Sequence, residues 1–249
     1  MITIDLGNSS TSYGVFSGRS LVKTGYSADN NIPLLISKLR SYLSYTPNIK
    51  VIISSVVPLL TSKLLKSMTQ YMAKRSIYVV ERDVKPKIAM KYDRKRLGSD
   101  RLVNVYGALK RYKPPLLIID YGTAITFDYI SKRGIFEGGL IVPGIEISKE
   151  ALETHTALLP RIKKIKVGKD LVGKETKSAM ISGLLNGFGA LSDGLIERFK
   201  KRYGGKLTVI ATGGFARQIS LYAHGIERVD PLHTIRSLAL MYQNEIEEG

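Results

Sequence analysis

The chain has 249 residues, 44% of them hydrophobic, so it can bury one large core or two modest ones. It contains no cysteine, which excludes disulfides, thiolate metal sites and cysteine nucleophiles and favours a reducing compartment. The formal net charge is +17, from 38 Lys and Arg against 21 Asp and Glu, so the surface attracts anions such as nucleic acid or phosphorylated metabolites.

The beginning of the chain lacks the features of a secretory signal. Met1 runs directly into an apolar strand-like segment, with no basic region and no cleavage site after a long apolar run. No uninterrupted apolar run approaches the roughly 20 residues that span a bilayer. We therefore expect a cytoplasmic protein without a membrane segment.

The basic residues fall in separate segments that lack interleaved aromatic side chains. We interpret them mainly as solvated surface, with nucleic-acid binding as the lesser alternative. The three histidines are His155, His224 and His233, and their spacing fits no helical zinc pair. We expect them to be surface or packing residues.

The first half of the chain alternates between predicted strands and helices. Strands are predicted at 1–5, 11–16, 51–55 and 77–80, and helices at 30–45, 58–74 and 101–109. The apolar spacing in the first helix is close to 3.6 residues, and Pro58 is typical of a helix start. This order of strands and helices implies parallel strands joined by right-handed crossovers.

The second half continues the alternation after a predicted hairpin around Asp120. A third strand is predicted within 134–144, followed by helices at 147–158 and 177–199. A buried strand at 207–211 leads into Thr212-Gly213-Gly214, and a helix at 234–247 ends the chain.

An internal repeat relates the two halves. At an offset of 115 residues, Asp5, Gly7 and Thr11 match residues of the same type, namely Asp120, Gly122 and Thr126. Each copy is an apolar strand that delivers an acid into a turn of small residues. The copies begin two segments of similar length, 1–113 and 114–249. We therefore predict two similar α/β domains facing a cleft.

The two strand-borne acids, Asp5 and Asp120, suit a magnesium-nucleotide site, because Mg²⁺ prefers oxygen ligands and keeps several waters. The turns that follow them can expose backbone N–H groups and hydroxyls to phosphate oxygens. The two commonest nucleotide-binding signatures, the P-loop and the Gly-x-Gly-x-x-Gly fingerprint, are absent. The sequence thus predicts phosphate binding by a pair of turns.

Five short motifs extend this interpretation. They are Asp5-x-Gly7-Asn8-Ser9; Gly98-x-Asp100-Arg101; Asp120-x-Gly122-Thr123-Ala124-x-Thr126-x-Asp128; Gly138-Gly139-x-Ile141-x-Pro143-Gly144; and Thr212-Gly213-Gly214. In order and approximate distance they resemble those of type III pantothenate kinases, over nearly the whole chain. The resemblance implies two actin-like (ribonuclease H-like) α/β domains, 1–113 and 114–249. It also implies ATP-dependent phosphorylation of pantothenate to 4'-phosphopantothenate, the first step of coenzyme A biosynthesis.

The resemblance implies a role for each matching residue. Asp100 would be the general base for the primary hydroxyl of pantothenate, and Arg101 would hold the carboxylate of the substrate. Other substrate contacts would come from Tyr92, Gly98 and Ser99. The phosphates and adenosine of ATP would be bound by Asp5, Gly7, Asn8, Ser9, Gly122, Thr123, Ala124, Thr126, Gly213 and Gly214.

Cofactors and assembly are implied in the same way. Asp5 would hold Mg²⁺ through water, and Asp120 would lie beside a monovalent cation, K⁺ or NH₄⁺. The family forms homodimers in which the segment Thr176–Gly183 crosses to the partner, with Thr176 as the expected contact. The implied ligands are ATP and pantothenate, and we do not expect a nucleic acid or a membrane as partner.

The sequence departs from the family pattern in two places. The family usually has Asn-Pro after the tyrosine that Tyr92 matches, where this chain has Asp93-Arg94, and Ser237-Leu238 replaces the usual Gly-Leu. Two alternatives stay open at this point. One is a non-enzymatic accessory or regulatory protein on the same fold, as the related Bvg accessory factors were described; the other is a nucleic-acid-associated basic protein.

Overall fold

The computed structural model describes residues 1–46, 48–168 and 170–248 and divides the chain into two compact units. The first unit consists of Met1–Arg111 and His233–Gly249, and the second of Tyr112–Leu232. Each unit is built on one five-stranded sheet.

The sheet of the first unit has the strand order β3-β2-β1-β4-β5. Its strands are β1 Ile2–Leu6, β2 Ser10–Ser17, β3 Ser20–Ala28, β4 Val51–Ser55 and β5 Ile77–Val79. β1 pairs parallel with β4, and β4 parallel with β5, which confirms the predicted parallel pairing. The sequence did not predict β3, because this edge strand is largely exposed and lacks an alternating apolar pattern.

Three helices accompany this sheet before Arg111: α1 Ile32–Tyr45, α2 Pro58–Met68 and α3 Ser99–Arg111. Asn31 caps α1, since its Oδ1 accepts a hydrogen bond from Leu34 N at 2.9 Å. α2 ends six residues before its predicted end at 74. The carbonyl of Met68 accepts from the N–H groups of both Tyr71 and Met72, and this turn redirects the chain towards β5.

The sheet of the second unit has the order β10-β9-β6-β7-β8, which repeats the topology of the first. Its strands are β6 Leu116–Tyr121, β7 Ala124–Ile130, β8 Phe136–Pro143, β9 Thr208–Thr212 and β10 Arg228–Val229. β6 takes the place of β1, because it pairs antiparallel with the next strand and parallel with β9. The prediction of two similar α/β domains is confirmed.

The helices of the second unit are α4 Ile145–Thr154, α5 Thr176–Tyr203 and α6 Ala216–Ile219. Among the described residues, α5 has the length and apolar composition that a membrane-spanning helix needs. Its buried residues include Met180, Leu184 and Leu185, which belong to the hydrophobic core of the unit. Packing within the unit therefore explains part of the apolar character of α5.

The last helix, α7 His233–Tyr242, continues as a π-helical turn at Gln243–Glu247. We predicted that residues 233–249 belong to the second domain, but this segment is part of the first unit. Ile235 and Ala239 on its apolar face pack against Phe16 of β2. An amphipathic helix packs on whichever sheet buries its apolar face. The order of elements along the chain does not show which of the two sheets this is, so the sequence alone did not assign α7 to the first unit.

His233 at the start of α7 is fully buried and is a packing residue, as expected for the histidines. Its Nε2 lies 2.9 Å from the carbonyl of Asn104, so Nε2 donates and Nδ1 accepts. The donor to Nδ1 is Arg111 Nη2, at 2.6 Å. These contacts attach α7 to α3.

Ser237, which replaces the usual glycine near the end of the chain, lies where α3 and α7 pack closely together. A methyl group added at Gly107 would overlap Ser237 Oγ and lie 3.1 Å from Ser237 Cα. The Ser237 hydroxyl donates to the carbonyl of His233 at 2.6 Å and accepts from Arg111 Nη2 at 3.1 Å. Ser237 therefore requires a glycine at position 107.

We expect Gly107→Ala to lower the free energy of unfolding by about 1 to 3 kcal/mol through overpacking, although alanine is the better helix former. Ser237→Gly in the same chain should restore part of the loss, giving a coupling energy of about 1 kcal/mol in a urea-denaturation double-mutant cycle. Gly187→Ala, at an exposed helical position with open space around it, is the matched control. Additive effects of the two substitutions would contradict the proposed contact.

Candidate active site

Strand pairing and a serine bridge bring two acids of the first unit to one edge of its sheet. Asp5 lies near the end of β1, opposite Ser54 of β4. Ser99, the first residue of α3, has its Oγ 3.1 Å from Ser54 Oγ. The Ser99 hydroxyl also donates to Ser55 O at 2.9 Å and accepts from Ser55 N at 3.0 Å. The start of α3, which carries Asp100, is thereby fixed to the strand beside Asp5.

The carboxylate of Asp100 is held at the first turn of α3. Its Oδ1 accepts a hydrogen bond from Arg101 N at 2.7 Å. Burial raises the pKa of Asp100 above its ordinary value, and the N–H and charge of Arg101 oppose that shift. A Cβ at Gly98 would stand 2.5 Å from Asp100 Oδ1, so glycine leaves room for the carboxylate. A carboxylate with a raised pKa is suited to accept a proton near neutral pH.

Arg101 and Tyr92, which the family resemblance implies as substrate contacts, lie together. Arg101 is only 7% exposed, and its guanidinium carbon lies 5.2 Å from the centroid of the Tyr92 ring. This distance is typical of a cation–π contact. The aromatic face therefore orients the guanidinium beside Asp100.

An ion pair holds the segment that carries Tyr92, where the sequence departs from the family pattern. Arg94 donates through Nε and Nη2 to the two carboxylate oxygens of Glu81, at 3.0 and 2.6 Å. A third donor, Nη1, reaches the carbonyl of Pro86 at 2.9 Å. Asp93 caps the short helical turn Arg94–Arg96 by accepting from Lys95 N. The Asp93-Arg94 pair thus forms contacts that fold this segment.

The turn after β1 exposes Asn8 and Ser9, the side chains predicted to bind phosphate. Sequence analysis missed the residue that lies behind this turn. Asn30 is buried, and its Nδ2 donates to the carbonyls of Gly7 and Asn8, both at 2.9 Å. Three consecutive polar residues before α1, Asp29, Asn30 and Asn31, were the only available signal, and a helix cap accounts for just one of them.

In the second unit, Asp120 lies at the end of β6, opposite Thr126 of β7 and Thr212 of β9. Thr126 Oγ1 donates to Asp128 Oδ2 at 3.2 Å. Gly213 has a φ of +90°, and a Cβ there would overlap Asp120 Oδ1 and stand 2.6 Å from the carbonyl carbon of Tyr121. Packing against β6 therefore requires glycine at position 213.

The other predicted residues of the second unit are more accessible. Gly122 is exposed, and Thr123 and Ala124 are half-buried. A Cβ at Gly214 would meet no atom of the described chain within 4 Å. Thr176 is exposed as the first residue of α5, which Glu175 and Ser178 cap reciprocally. These residues thus lie on the turn after β6, on the turn after β9 and at the start of α5.

Two surface cavities are lined by other residues. One, of about 340 Å³, is in the second unit between 166–168, 170–174 and α5, and the other, of about 430 Å³, is in the first unit beside Met1 and the π-helical turn. Neither is lined by Asp5, Asp100 or Asp120. The candidate site is therefore assigned from the chemistry of its side chains, since cavity volume points elsewhere.

Comparison with known sequences gives matches along the whole chain. A family model described as type III pantothenate kinase matches residues 1–198. A type III pantothenate kinase of Listeria monocytogenes is 34% identical over 98% of this chain and 96% of its own length. A protein of the same name from Syntrophus aciditrophicus is 35% identical over 98% of this chain and 98% of its own length. Another, from Desulforapulum autotrophicum, is 36% identical over 97% of this chain and 95% of its own length.

Solved structures with the same architecture have low sequence identity. A 2-dehydro-3-deoxygalactonokinase from Sinorhizobium meliloti matches with a TM-score of 0.62 at 12% identity, covering 98% of this chain and 96% of that one. A Baf family transcriptional activator from Campylobacter jejuni matches with a TM-score of 0.61 at 22% identity, covering 98% of both chains. Spiroplasma citri MreB 5 matches with a TM-score of 0.51 at 13% identity, covering 99% and 96%. These likenesses show an actin-like α/β fold.

The raised pKa of Asp100 predicts a stabilising substitution. Because burial disfavours the charged carboxylate in the folded state, ionisation destabilises the protein above the unfolded pKa of about 3.9. Asp100→Asn should therefore raise the melting temperature at pH 7, and the gain should vanish below about pH 4, where the carboxyl is protonated in both states. Glu150→Gln, an exposed control on α4, should change neither value. A lower melting temperature for Asp100→Asn at pH 7 would show that the charged carboxylate is stabilised by its surroundings.

Proposed function

The chain belongs to the type III pantothenate kinase family, and from that premise we propose how its residues perform the reaction. It is a kinase that phosphorylates pantothenate in coenzyme A biosynthesis, and the comparisons do not favour the accessory or nucleic-acid alternatives. The single observation that carries the proposed mechanism is the position of Asp100. This carboxylate has a raised pKa, lies beside Arg101, and is fixed through Ser99 to the sheet edge that carries Asp5.

We assign to Asp100 the role of general base. It accepts the proton of the primary hydroxyl of pantothenate as that oxygen attacks the γ-phosphorus of ATP and the bond to the β-phosphate oxygen breaks. Phosphoryl transfer requires mainly alignment and charge neutralisation, so one base and donor-rich turns are sufficient protein chemistry. Gly98 supports this role because it leaves room for the carboxylate.

Arg101 binds the carboxylate of pantothenate in this proposal. Its planar guanidinium can donate two parallel hydrogen bonds to a carboxylate, and the Tyr92 ring holds it in place. Tyr92, Gly98 and Ser99 complete the substrate side. The contact with Tyr92 supports this assignment, because it fixes the orientation of the guanidinium before a carboxylate binds.

The turns after β1 and β6 bind the phosphates of ATP. In the first unit the binding groups are Asp5, Gly7, Asn8 and Ser9, and in the second they are Gly122, Thr123, Ala124 and Thr126. Gly213 lies next to Asp120, and Gly213 and Gly214 together provide the backbone surface for the adenosine moiety. Support comes from the duplicated register, in which each acid precedes its turn at the same position of the sheet.

Mg²⁺ and a monovalent cation fit the residues that are present. The described residues contain no group of three or more His, Cys, Asp and Glu that could hold a metal. Mg²⁺ needs no such group, because it binds through one or two carboxylates, water and substrate phosphates. We assign Mg²⁺ to Asp5 through water and K⁺ or NH₄⁺ to Asp120. When bound, the cations neutralise phosphate charge and favour transfer.

We further propose a cytoplasmic homodimer in which Thr176 contacts the substrate bound by the partner. The exposure of Thr176 at the capped start of α5 supports this assignment, because the side chain is accessible to a second chain. The absence of cysteine supports a reducing compartment. The net charge of +17 favours the two anionic substrates and requires neither a nucleic acid nor a membrane as partner.

Turnover with pantothenate, ATP, Mg²⁺ and K⁺ tests the assignment of the base. Asp100→Asn should reduce kcat by a factor on the order of 10² to 10⁴, because the amide cannot accept the proton, while pantothenate binding stays largely intact. The measurement is a coupled assay of ADP formation, with pantothenate affinity determined by calorimetry. Near wild-type turnover of Asp100→Asn would remove this residue from the mechanism.

Arg101→Lys should raise the KM for pantothenate by about tenfold or more with a smaller change in kcat, because an ammonium group cannot make the two-pronged contact. The matched control is Arg96→Lys, a conservative change in the same segment at a side chain that is 84% exposed. Steady-state kinetics at saturating ATP give both constants. An unchanged KM in Arg101→Lys would place the substrate carboxylate elsewhere.

A further inference from the structure

The turn Gly7–Ser10 directs all four of its carbonyl oxygens towards hydrogen-bond donors of the protein. The carbonyls of Gly7 and Asn8 each accept from Asn30 Nδ2 at 2.9 Å. The carbonyl of Ser9 accepts from Asp29 N at 3.2 Å, and that of Ser10 accepts from Gly7 N at 3.0 Å. No carbonyl of this turn is therefore left to face a ligand.

This orientation matters because a carbonyl oxygen carries partial negative charge and repels phosphate, whereas backbone N–H groups and hydroxyls attract it. A short turn beside a carboxylate such as Asp5 binds an anion only when its acceptors are turned away. Donors fixed in place before the reaction stabilise developing charge without reorganisation. A side chain that keeps these carbonyls directed into the protein therefore contributes to phosphate binding, although it does not contact the phosphate.

Asn30 is suited to this task in its chemistry and its conformation. Both amide hydrogens are directed to the two carbonyls, and its Oδ1 accepts from Thr11 Oγ1 at 2.8 Å, which fixes the orientation of the amide. The residue is 8% exposed and has a φ of +49°, a conformation that asparagine tolerates better than most residues. Every hydrogen-bonding function of the amide is engaged with the turn or with its supporting strand.

The second unit provides independent support, because the carbonyls of its corresponding turn are also covered by the protein, there by a different residue. In the strand registers, Ser10 is paired with Ala28 and Ala124 with Pro143. Gly144 therefore lies in the junction between β8 and α4, as Asn30 lies in the junction between β3 and α1. A Cβ at Gly144 would overlap the carbonyl oxygen of Thr123 and stand 2.7 Å from that of Gly122. The same junction of strand and helix thus covers the same two carbonyls, by a side-chain amide in one unit and by close backbone approach in the other.

We propose that Asn30 is a positioning residue for phosphoryl transfer, which holds the turn Gly7–Ser10 in the form that presents donors to the phosphates of ATP. The inference rests on the proposed role of this turn. Asn30 does not contact the substrate. Its effect should appear in turnover and in ATP binding, and should be absent from pantothenate binding.

The test compares Asn30→Asp with Asn31→Asp. Asn30→Asp keeps the shape and the tolerance for positive φ, but places a carboxylate against two carbonyl oxygens. Asn31→Asp adds the same charge one residue later and keeps the oxygen that caps α1 through Leu34 N. The second variant is Asn30→Gly, which removes the amide and adopts the positive φ of this position without strain. It keeps the test decisive if Asn30→Asp fails to fold.

We expect both Asn30 variants to lose kcat by a factor on the order of 10 to 100, with weaker ATP binding by calorimetry and a pantothenate KM within about twofold of wild type. Asn31→Asp should match wild type in all three quantities. Wild-type kcat and ATP affinity in both Asn30 variants would overturn the proposal, as would a parallel loss of ATP and pantothenate binding with a lower melting temperature. If wild-type protein fails to phosphorylate pantothenate, the proposed function fails, and the ATP affinities of the same variants still decide the role of Asn30.

Discussion

Parallel pairing of the central strand of each sheet with a neighbouring strand is the constraint on which the candidate site depends. Because β1 and β4 run in the same direction, Asp5 and Ser54 reach the same edge, and Ser99 then attaches Asp100 to it. β6 and β9 repeat the arrangement with Asp120 and Thr212. The positions of Asp5 and Asp120 therefore follow from strand direction, and the position of Asp100 follows from the attachment of α3 to β4.

The carbonyl oxygens of the turns that follow Asp5 and Asp120 would repel an anionic substrate, and in both units these carbonyls are covered by the protein. In the first unit the amide of Asn30 covers the carbonyls of the adjacent turn, and in the second Gly144 approaches the equivalent carbonyls. Burial of Asp100 raises its pKa at a cost in stability, which is the expected consequence of holding a carboxylate away from water. The basic surface attracts both anionic substrates over longer distances.

Sequence patterns predicted the elements that are buried on regular faces, and missed those defined by contacts distant in the chain. The strand Val51–Ser55 was predicted with its observed bounds because its apolar run is continuous, whereas the exposed edge strand Ser20–Ala28 has no such pattern. The repeat around Asp5 and Asp120 predicted equivalent sheets. The assignment of α7 to the first unit and the contact of Asn30 depend on tertiary packing, which no local spacing encodes.

The central claim is that the γ-phosphoryl group of ATP is transferred to the primary hydroxyl of pantothenate with Asp100 as base. Identification of the product by two-dimensional ¹H–³¹P NMR tests the transfer most directly. The account predicts a single new phosphorus resonance that correlates with the methylene protons of the primary alcohol, formed in step with ADP. Release of inorganic phosphate with unmodified pantothenate, or a phosphorus resonance that correlates with the secondary alcohol, would contradict it.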